Sequence, residues 1–204
     1  MMKRGRFISF EGTEGTGKST LIAGLKKALL KQGYKVTVTR EPGGTLVSEA
    51  IRTILLSKQM DPWTELLLYE ASRAEHVQTV ILPALKAKHF VLCDRYADSS
   101  LAYQGSARGL NWKQIRRLNE IATQNLKPDL TLWLDLDPAL GLKRATVLTK
   151  FEREGLGFQK LVRKGFQRIA REEPKRFVRI QAHQEREKLI THVLGLLQKK
   201  GWIR

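Results

Sequence analysis

The chain has 204 residues, 42% of them hydrophobic, enough for a single domain that buries roughly 70% of the surface its unfolded chain exposes. Its formal net charge of +17 comes from Lys and Arg dispersed between Lys3 and Arg204, densest from Lys143 to Arg186, with no basic run interleaved with aromatics. That spread favours a surface attracting small polyanions over a specific nucleic-acid interface, and no apolar run approaches the ~18 residues of a membrane span.

The stretch from Met1 to Arg6 lacks the apolar segment of a secretion signal, and Cys93 is the only cysteine. The expected location is therefore the reducing cytoplasm, with no intrachain disulfide and no membrane partner. In chain order, Phe7-Ile8-Ser9-Phe10 reads as a buried strand. A helix follows on Leu21, Ile22, Leu25, Ala28 and Leu29, with Gly33 as a left-handed stop. Val36-Thr37-Val38-Thr39 reads as a second strand that delivers the turn Arg40-Glu41-Pro42-Gly43-Gly44-Thr45 at its carboxyl end. Helical spacing returns at Val47, Ile51, Ile54 and Leu55. Asp61-Pro62 then opens a longer helix through Leu66, Leu67, Tyr69, Ala74, Val77 and Ile81, which Pro83 should kink or end.

The apolar run His89-Phe90-Val91-Leu92-Cys93 predicts a strand covered on both faces, ending at Asp94-Arg95-Tyr96. A helix is expected from near Ser99, and Asn111 caps another that carries Ile115, Leu118, Ile121 and Ala122. Leu130-Thr131-Leu132-Trp133-Leu134 is a fourth strand, and Asp137-Pro138 opens a helix through Leu140, Leu142 and Ala145. Between Thr149 and Gly157 the apolar spacing lapses into charged residues with two glycines, which predicts a mobile loop. A helix from Phe158 to Ala170, a strand from Phe177 to Ile180 and a last helix on Leu189, Val193 and Leu197 complete the pattern. Strands alternating with helices predict an α/β fold: five parallel strands with helices on both faces, and ligands beyond the strands' carboxyl ends.

One stretch carries chemistry by itself. Gly12-Thr13-Glu14-Gly15-Thr16-Gly17-Lys18-Ser19 fits the phosphate-binding pattern G-x-x-x-x-G-K-[ST] between a strand and a helix. Its glycines let backbone N–H groups and a helix N-terminus converge on one polyphosphate. Lys18 is then expected on the β and γ phosphates of ATP, Ser19 on a magnesium ion, and Thr20 at the edge of the same site. The plainer reading, a glycine-rich turn that binds nothing, suits a partial match better than this complete one.

Further motifs follow in order: Arg40 to Thr45, Tyr69-Glu70-Ala71-Ser72-Arg73, Asp94-Arg95-Tyr96, Ser99-Ser100-Leu101-Ala102-Tyr103-Gln104-Gly105 and Pro128 to Asp135. Their joint order and spacing resemble the bacterial thymidylate kinases from the first strand to roughly Arg171. The resemblance implies transfer of the γ-phosphoryl of ATP, as its Mg2+ complex, to dTMP, by a protein that is usually a homodimer; the Leu66 to Leu68 helix is a candidate interface. It further implies that Arg40 and Arg95 hold the acceptor phosphate, Arg95 also nearing the transferred group. Tyr69 would stack on thymine, Arg73 would read the base edge, and Ser100 and Gln104 would line the same pocket. Tyr103 would crowd the sugar 2′ position, Glu14 would approach the 3′ hydroxyl, and Asp94 would join Ser19 near the magnesium.

Taken singly, Tyr69 and Tyr103 also read as core aromatics, Arg73 as a partner of Glu70, and Asp94 as a turn cap. Relatives with few basic residues in the phosphate loop place arginines in a lid. The matching stretch here, about residues 144–157, contains Arg144, Lys150 and Arg153 as candidate catalytic cations. Lys150 stands where relatives often have arginine, which exchanges a paired contact for a point charge. Gln181-Ala182 likewise replaces an acidic residue and alanine near the expected adenine. Two other readings compete: a different nucleoside monophosphate kinase of this fold, acting on guanylate or uridylate, and a nucleic-acid-dependent NTPase. Against the second, no strand ends in adjacent carboxylates.

Overall fold

Strand β4 (Leu130–Asp135) is buried at every residue, as a strand with layers on both faces must be. The computed structural model describes residues 4–144 and 150–204. Around β4 the sheet runs β2 (Val36–Arg40), β3 (Phe90–Asp94), β1 (Arg6–Glu11), β4, β5 (Phe177–Gln181), every pairing parallel. This is the five-stranded sheet that the alternating pattern predicts. Register matters for function: Asp94 pairs with both Phe10 and Arg40, so β1, β2 and β3 finish level and the loops after them meet at one rim.

Strand alternation sends Ile8, Phe10, Leu92 and Leu132 into one core with α1 (Lys18–Lys31) and α10 (Arg186–Lys199). Phe7, Val91 and Cys93 face the other way, against Val77, Ile81 and Leu85. On that same side Trp133 packs on Phe166 and Phe177, ring centroids 6.0 and 6.2 Å away, with Phe166 carried by α9 (Gly155–Glu172). Burying each such side chain contributes about 1.5–3 kcal/mol. The cap residues behave as their chemistry dictates. Asp61 accepts from Trp63 N–H at the start of α3 (Pro62–His76), and Asn111 accepts from Lys113 and Gln114 at the start of α6 (Trp112–Thr123).

Three stretches depart from expectation. The helix expected to run to Pro83 widens into a π-helical turn at Val77–Ile81 and resumes as α4 (Leu82–Lys86), whose first turn holds the proline. The segment near Ser99 is α5 (Ala97–Ser100) followed by a longer π-helical stretch, Leu101–Ala107, in which Tyr103 and Gln104 are both buried. The predicted loop between Thr149 and Gly157 is instead helical over α8 (Lys150–Arg153) and again from Gly155, the start of α9. Two contacts explain this: Phe151 is buried against Tyr103 and Phe158, and Gln159 Nε2 donates to the Phe151 carbonyl at 2.8 Å. Thr149, and Ala145 of the preceding predicted helix, lie outside the described residues. That preceding helix, α7 (Pro138–Arg144), is otherwise present.

Candidate active site

The phosphate loop curls because its glycines occupy backbone regions that side chains rarely enter. Gly12, Gly15 and Gly17 have φ of 141°, 71° and 86°. A Cβ at Gly12 would stand 2.6 Å from the Leu134 carbonyl oxygen, so the loop lies directly on the end of β4. Thr16 Oγ1 donates to the Thr13 carbonyl at 2.9 Å and braces the curl. The first turn of α1 has Gly17 as a left-handed cap, no side-chain cap bond and no acidic residue. Its N–H groups and dipole are thus available to an anion. Lys18 folds back over the loop, its ammonium donating to the Gly12 and Thr13 carbonyls at 3.2 and 3.0 Å. Burial lowers its pKa, opposed by Glu14, Asp94 and Glu11 nearby. Ser19 and Thr20 are exposed beside it.

Arg95 joins this loop to the next strand. It sits just past β3 with φ of 70°, a left-handed conformation held by N–H donation to the Phe10 carbonyl at 2.9 Å. Its guanidinium donates to the Gly12 carbonyl at 2.9 Å and to Glu14 Oε1 at 2.5 Å, and lies 5.1 Å from the Tyr103 ring centroid. Arg95, then Lys18, hold the Glu14 carboxyl at about 2. Behind this turn Glu11 accepts from the Tyr96 N–H at 2.8 Å and from Ser99 Oγ at 2.6 Å.

Beyond Arg95 opens a cleft at the same rim of the sheet. Of the residues expected on the acceptor, Glu14, Tyr69, Arg73, Arg95, Ser100, Tyr103 and Gln104 all line it. Arg73 is fully buried: it donates to Glu41 Oε2 at 2.8 Å, Glu70 Oε1 at 2.5 Å, Asn119 Oδ1 at 2.8 Å and Ser100 Oγ at 3.1 Å. Burial opposes its charge, but Glu70 and Glu41 outweigh that and raise its pKa. It therefore pairs with Glu70 and also reaches the cleft. Glu41 is fixed from its other oxygen by His76 Nδ1 at 3.0 Å.

Arg40 is not in the cleft. Its guanidinium donates to both oxygens of Glu49 at 2.8 and 3.0 Å on the exposed side. A further cation that lines the cleft beside Arg73 and Arg95 is Arg52, on α2 (Leu46–Ser57), anchored to the Pro42 carbonyl at 2.8 Å. Sequence reading missed it, although it lies on the helix that directly follows the Arg40 to Thr45 turn.

The lid candidates separate. The backbone of α7 packs on the phosphate loop: a Cβ at Gly15 would meet the Gly141 carbonyl oxygen at 2.2 Å and Arg144 Cβ at 3.0 Å. Arg144 therefore starts from the donor side. Lys150 does not reach the phosphate loop. Its ammonium is buried, 2.7 Å from Glu65 Oε2 and 3.3 Å from the Lys58 carbonyl. Arg153 is on the exposed side of α8. For the expected magnesium ion, Asp94 fits: its Oδ1 is buried with no hydrogen-bond partner among the described residues. No group of three or more His, Cys, Asp or Glu among those residues is arranged to hold a metal unaided.

A phosphate loop and a cleft of this kind at one rim of a parallel sheet define a nucleotide-dependent kinase of the nucleoside monophosphate class. A family model described as thymidylate kinase matches residues 10–193. The chain is 54% identical over 177 residues to a thymidylate kinase of a Synechococcus species, covering 86% of this chain and 87% of that protein. It is 46% identical over 200 residues to one from a Thermoanaerobacter species, covering 96% and 98%. Against one from Deinococcus radiodurans it is 44% identical over 205 residues, covering 98% and 100%. The chain belongs to the thymidylate kinase family.

Proposed function

We propose that this kinase transfers the γ-phosphoryl group of ATP to the 5′-phosphate of dTMP, yielding ADP and dTDP. The observation that carries the reading is Arg95, whose one guanidinium touches the phosphate loop at Gly12 and Glu14 while lining the acceptor cleft. A donor on Lys18 and an acceptor phosphate in the cleft then share one cation between them. An acceptor oxygen attacks the γ-phosphorus as the bond to the bridging oxygen of ADP breaks. Such a transition state needs alignment and donors around its equatorial oxygens more than it needs covalent chemistry. Arg95 and Arg52 grip the acceptor phosphate through planar, paired donors. Tyr69 and Tyr103 enclose base and sugar, and Arg73, Ser100 and Gln104 present donors to the base edge.

On the donor side Lys18 leaves its loop carbonyls for the β and γ phosphates, and Arg144 and Arg153 are the lid cations. Asp94 and Ser19 are the residues that would hold Mg2+, which would supply charge neutralisation to the transferring phosphoryl group. Because Leu66 is buried and Leu67 about half exposed, the homodimer face is read as Leu67 with exposed Ile54, Val47 and Ile121. A monomer in sedimentation would remove that element. A cytoplasmic setting follows from free nucleotide substrates and from the single, buried cysteine. No helix among the described residues is long and apolar enough to cross a membrane.

The test is a panel of monophosphates with ATP and magnesium, in which dTMP is turned over fastest. Equal or faster turnover of guanylate or uridylate would move the assignment to another member of the class. ATP hydrolysis stimulated by nucleic acid, without transfer to any monophosphate, would favour the NTPase reading instead.

A further inference from the structure

Glu65 is a buried carboxylate on α3 that does not line the cleft, yet both of its oxygens are engaged by residues that matter there. Oε1 accepts from Gln104 Nε2 at 2.8 Å, and Gln104 is part of the cleft wall. Oε2 faces the Lys150 ammonium at 2.7 Å, across from α8. Arg108 reinforces the joint: its Nε is 3.6 Å from Glu65 Oε1, and its Nη1 is 2.7 Å from Glu154 Oε1, just after α8.

The residue next to Lys150 shows what this joint positions. Phe151 lines the same cleft, its ring centroid 6.5 Å from Tyr69 and 5.5 Å from Tyr103. Helix α8 spans only Lys150–Arg153, far below the length at which a helix persists alone in water. Its placement depends on tertiary contacts, and a charged one is Lys150 with Glu65.

We propose that Glu65 is a positioning residue that latches α8 through Lys150, so that Phe151 closes the acceptor cleft and nucleotide binding and α8 docking favour each other. Two sites linked through one docking equilibrium must affect each other reciprocally. A monophosphate that packs on Phe151 stabilises the latched helix, and the latch tightens the monophosphate. The inference rests on reading the cleft as the acceptor site. It reassigns Lys150 from the reacting phosphates to this joint.

The experiment measures dTMP binding by calorimetry without ATP, together with amide exchange across residues 150–158, for the wild type and five variants. The variants are Lys150→Met, Lys150→Arg, Phe151→Ala, the combination Lys150→Met with Phe151→Ala, and, as the charge-neutral double variant, Glu65→Gln/Lys150→Met. In the wild type dTMP raises protection of residues 150–158. Lys150→Met removes that gain and weakens dTMP about tenfold, and Lys150→Arg, which keeps the ion pair, stays within about threefold of wild type. Adding Phe151→Ala to Lys150→Met costs less than a further twofold. If Lys150→Met folds poorly because Glu65 is left without its cation, the double variant restores the fold while still binding dTMP about tenfold more weakly. A Lys150→Met or double variant with wild-type dTMP affinity and wild-type protection overturns the latch. So do additive losses from Lys150 and Phe151. If the wild type itself binds no dTMP, the acceptor reading fails along with it.

Discussion

Arg40 and Arg52 carry the same charge and lie within one turn and one helix of each other, but their surroundings give them different tasks. Arg40 is half exposed, and its guanidinium is taken by Glu49, so its net interaction with a further ligand is screened by water and by that carboxylate. Arg52 is anchored by the Pro42 carbonyl and faces the cleft. Burial, then repulsion from Arg40, lowers its pKa, as expected for a cation whose counter-charge is to be supplied by a ligand. Replacing Arg52 with Met should therefore raise KM for dTMP roughly 10- to 100-fold, the usual worth of a hydrogen bond to a charged group. Arg40→Met should raise it less. Steady-state kinetics with dTMP varied at saturating ATP measures both, and a larger loss for Arg40 would return the acceptor phosphate to that side chain.

At the scale of elements, donor binding depends on how closely α7 approaches the phosphate loop. A Cβ at Gly141 would stand 2.8 Å from the Glu14 carbonyl oxygen, and that atom is backbone, so relief requires the loop or the helix to shift. Gly141→Ala should thus raise KM for ATP about tenfold, in line with the steep cost of misplacing reacting groups, while dTMP affinity without ATP changes by less than about threefold. An equal loss on both substrates would mean that the substitution disturbs the whole rim. The five strands and the loops at their ends were legible because strand alternation, buried apolar runs and glycine-rich turns are local signals. The π-helical turns were not, since one inserted residue leaves the apolar spacing nearly helical. Nor was α8, where Phe151 is the one apolar side chain in a charged stretch and its partners Tyr69 and Tyr103 are remote in sequence. The tasks of Arg52 and Lys150 were hidden likewise, because whether a cation faces solvent, ligand or a distant carboxylate is decided by packing.

The molecule as a whole carries a net charge of +17, and self-repulsion of that size makes stability depend on pH through many groups at once. One group has a distinct signature. Burial, then the charge of Asp98, push the Glu11 carboxyl up to about 8 from an ordinary 4.5. Between those values the folded chain holds a proton on Glu11 that the unfolded chain has released. Glu11 therefore contributes stability that is fully present below about 4.5 and is lost as pH rises through about 8. The opposite case is Glu14, held at about 2 chiefly by Arg95, whose contribution is present above 4.5 and is lost as pH falls towards 2. The two windows do not overlap. Glu11→Gln keeps a neutral side chain beside Tyr96 and Ser99 at every pH and leaves the rest of the charge unchanged. Subtracting its unfolding curve from that of the ligand-free wild type cancels the shared repulsion. The variant should gain on the wild type steadily from pH 5 to pH 8, by at most ~1.4 kcal/mol per pH unit, and level off above that. Curves that stay parallel through this window would mean that Glu11 is ionised in the fold, and that the turn carrying Arg95 is pinned by a charged carboxylate.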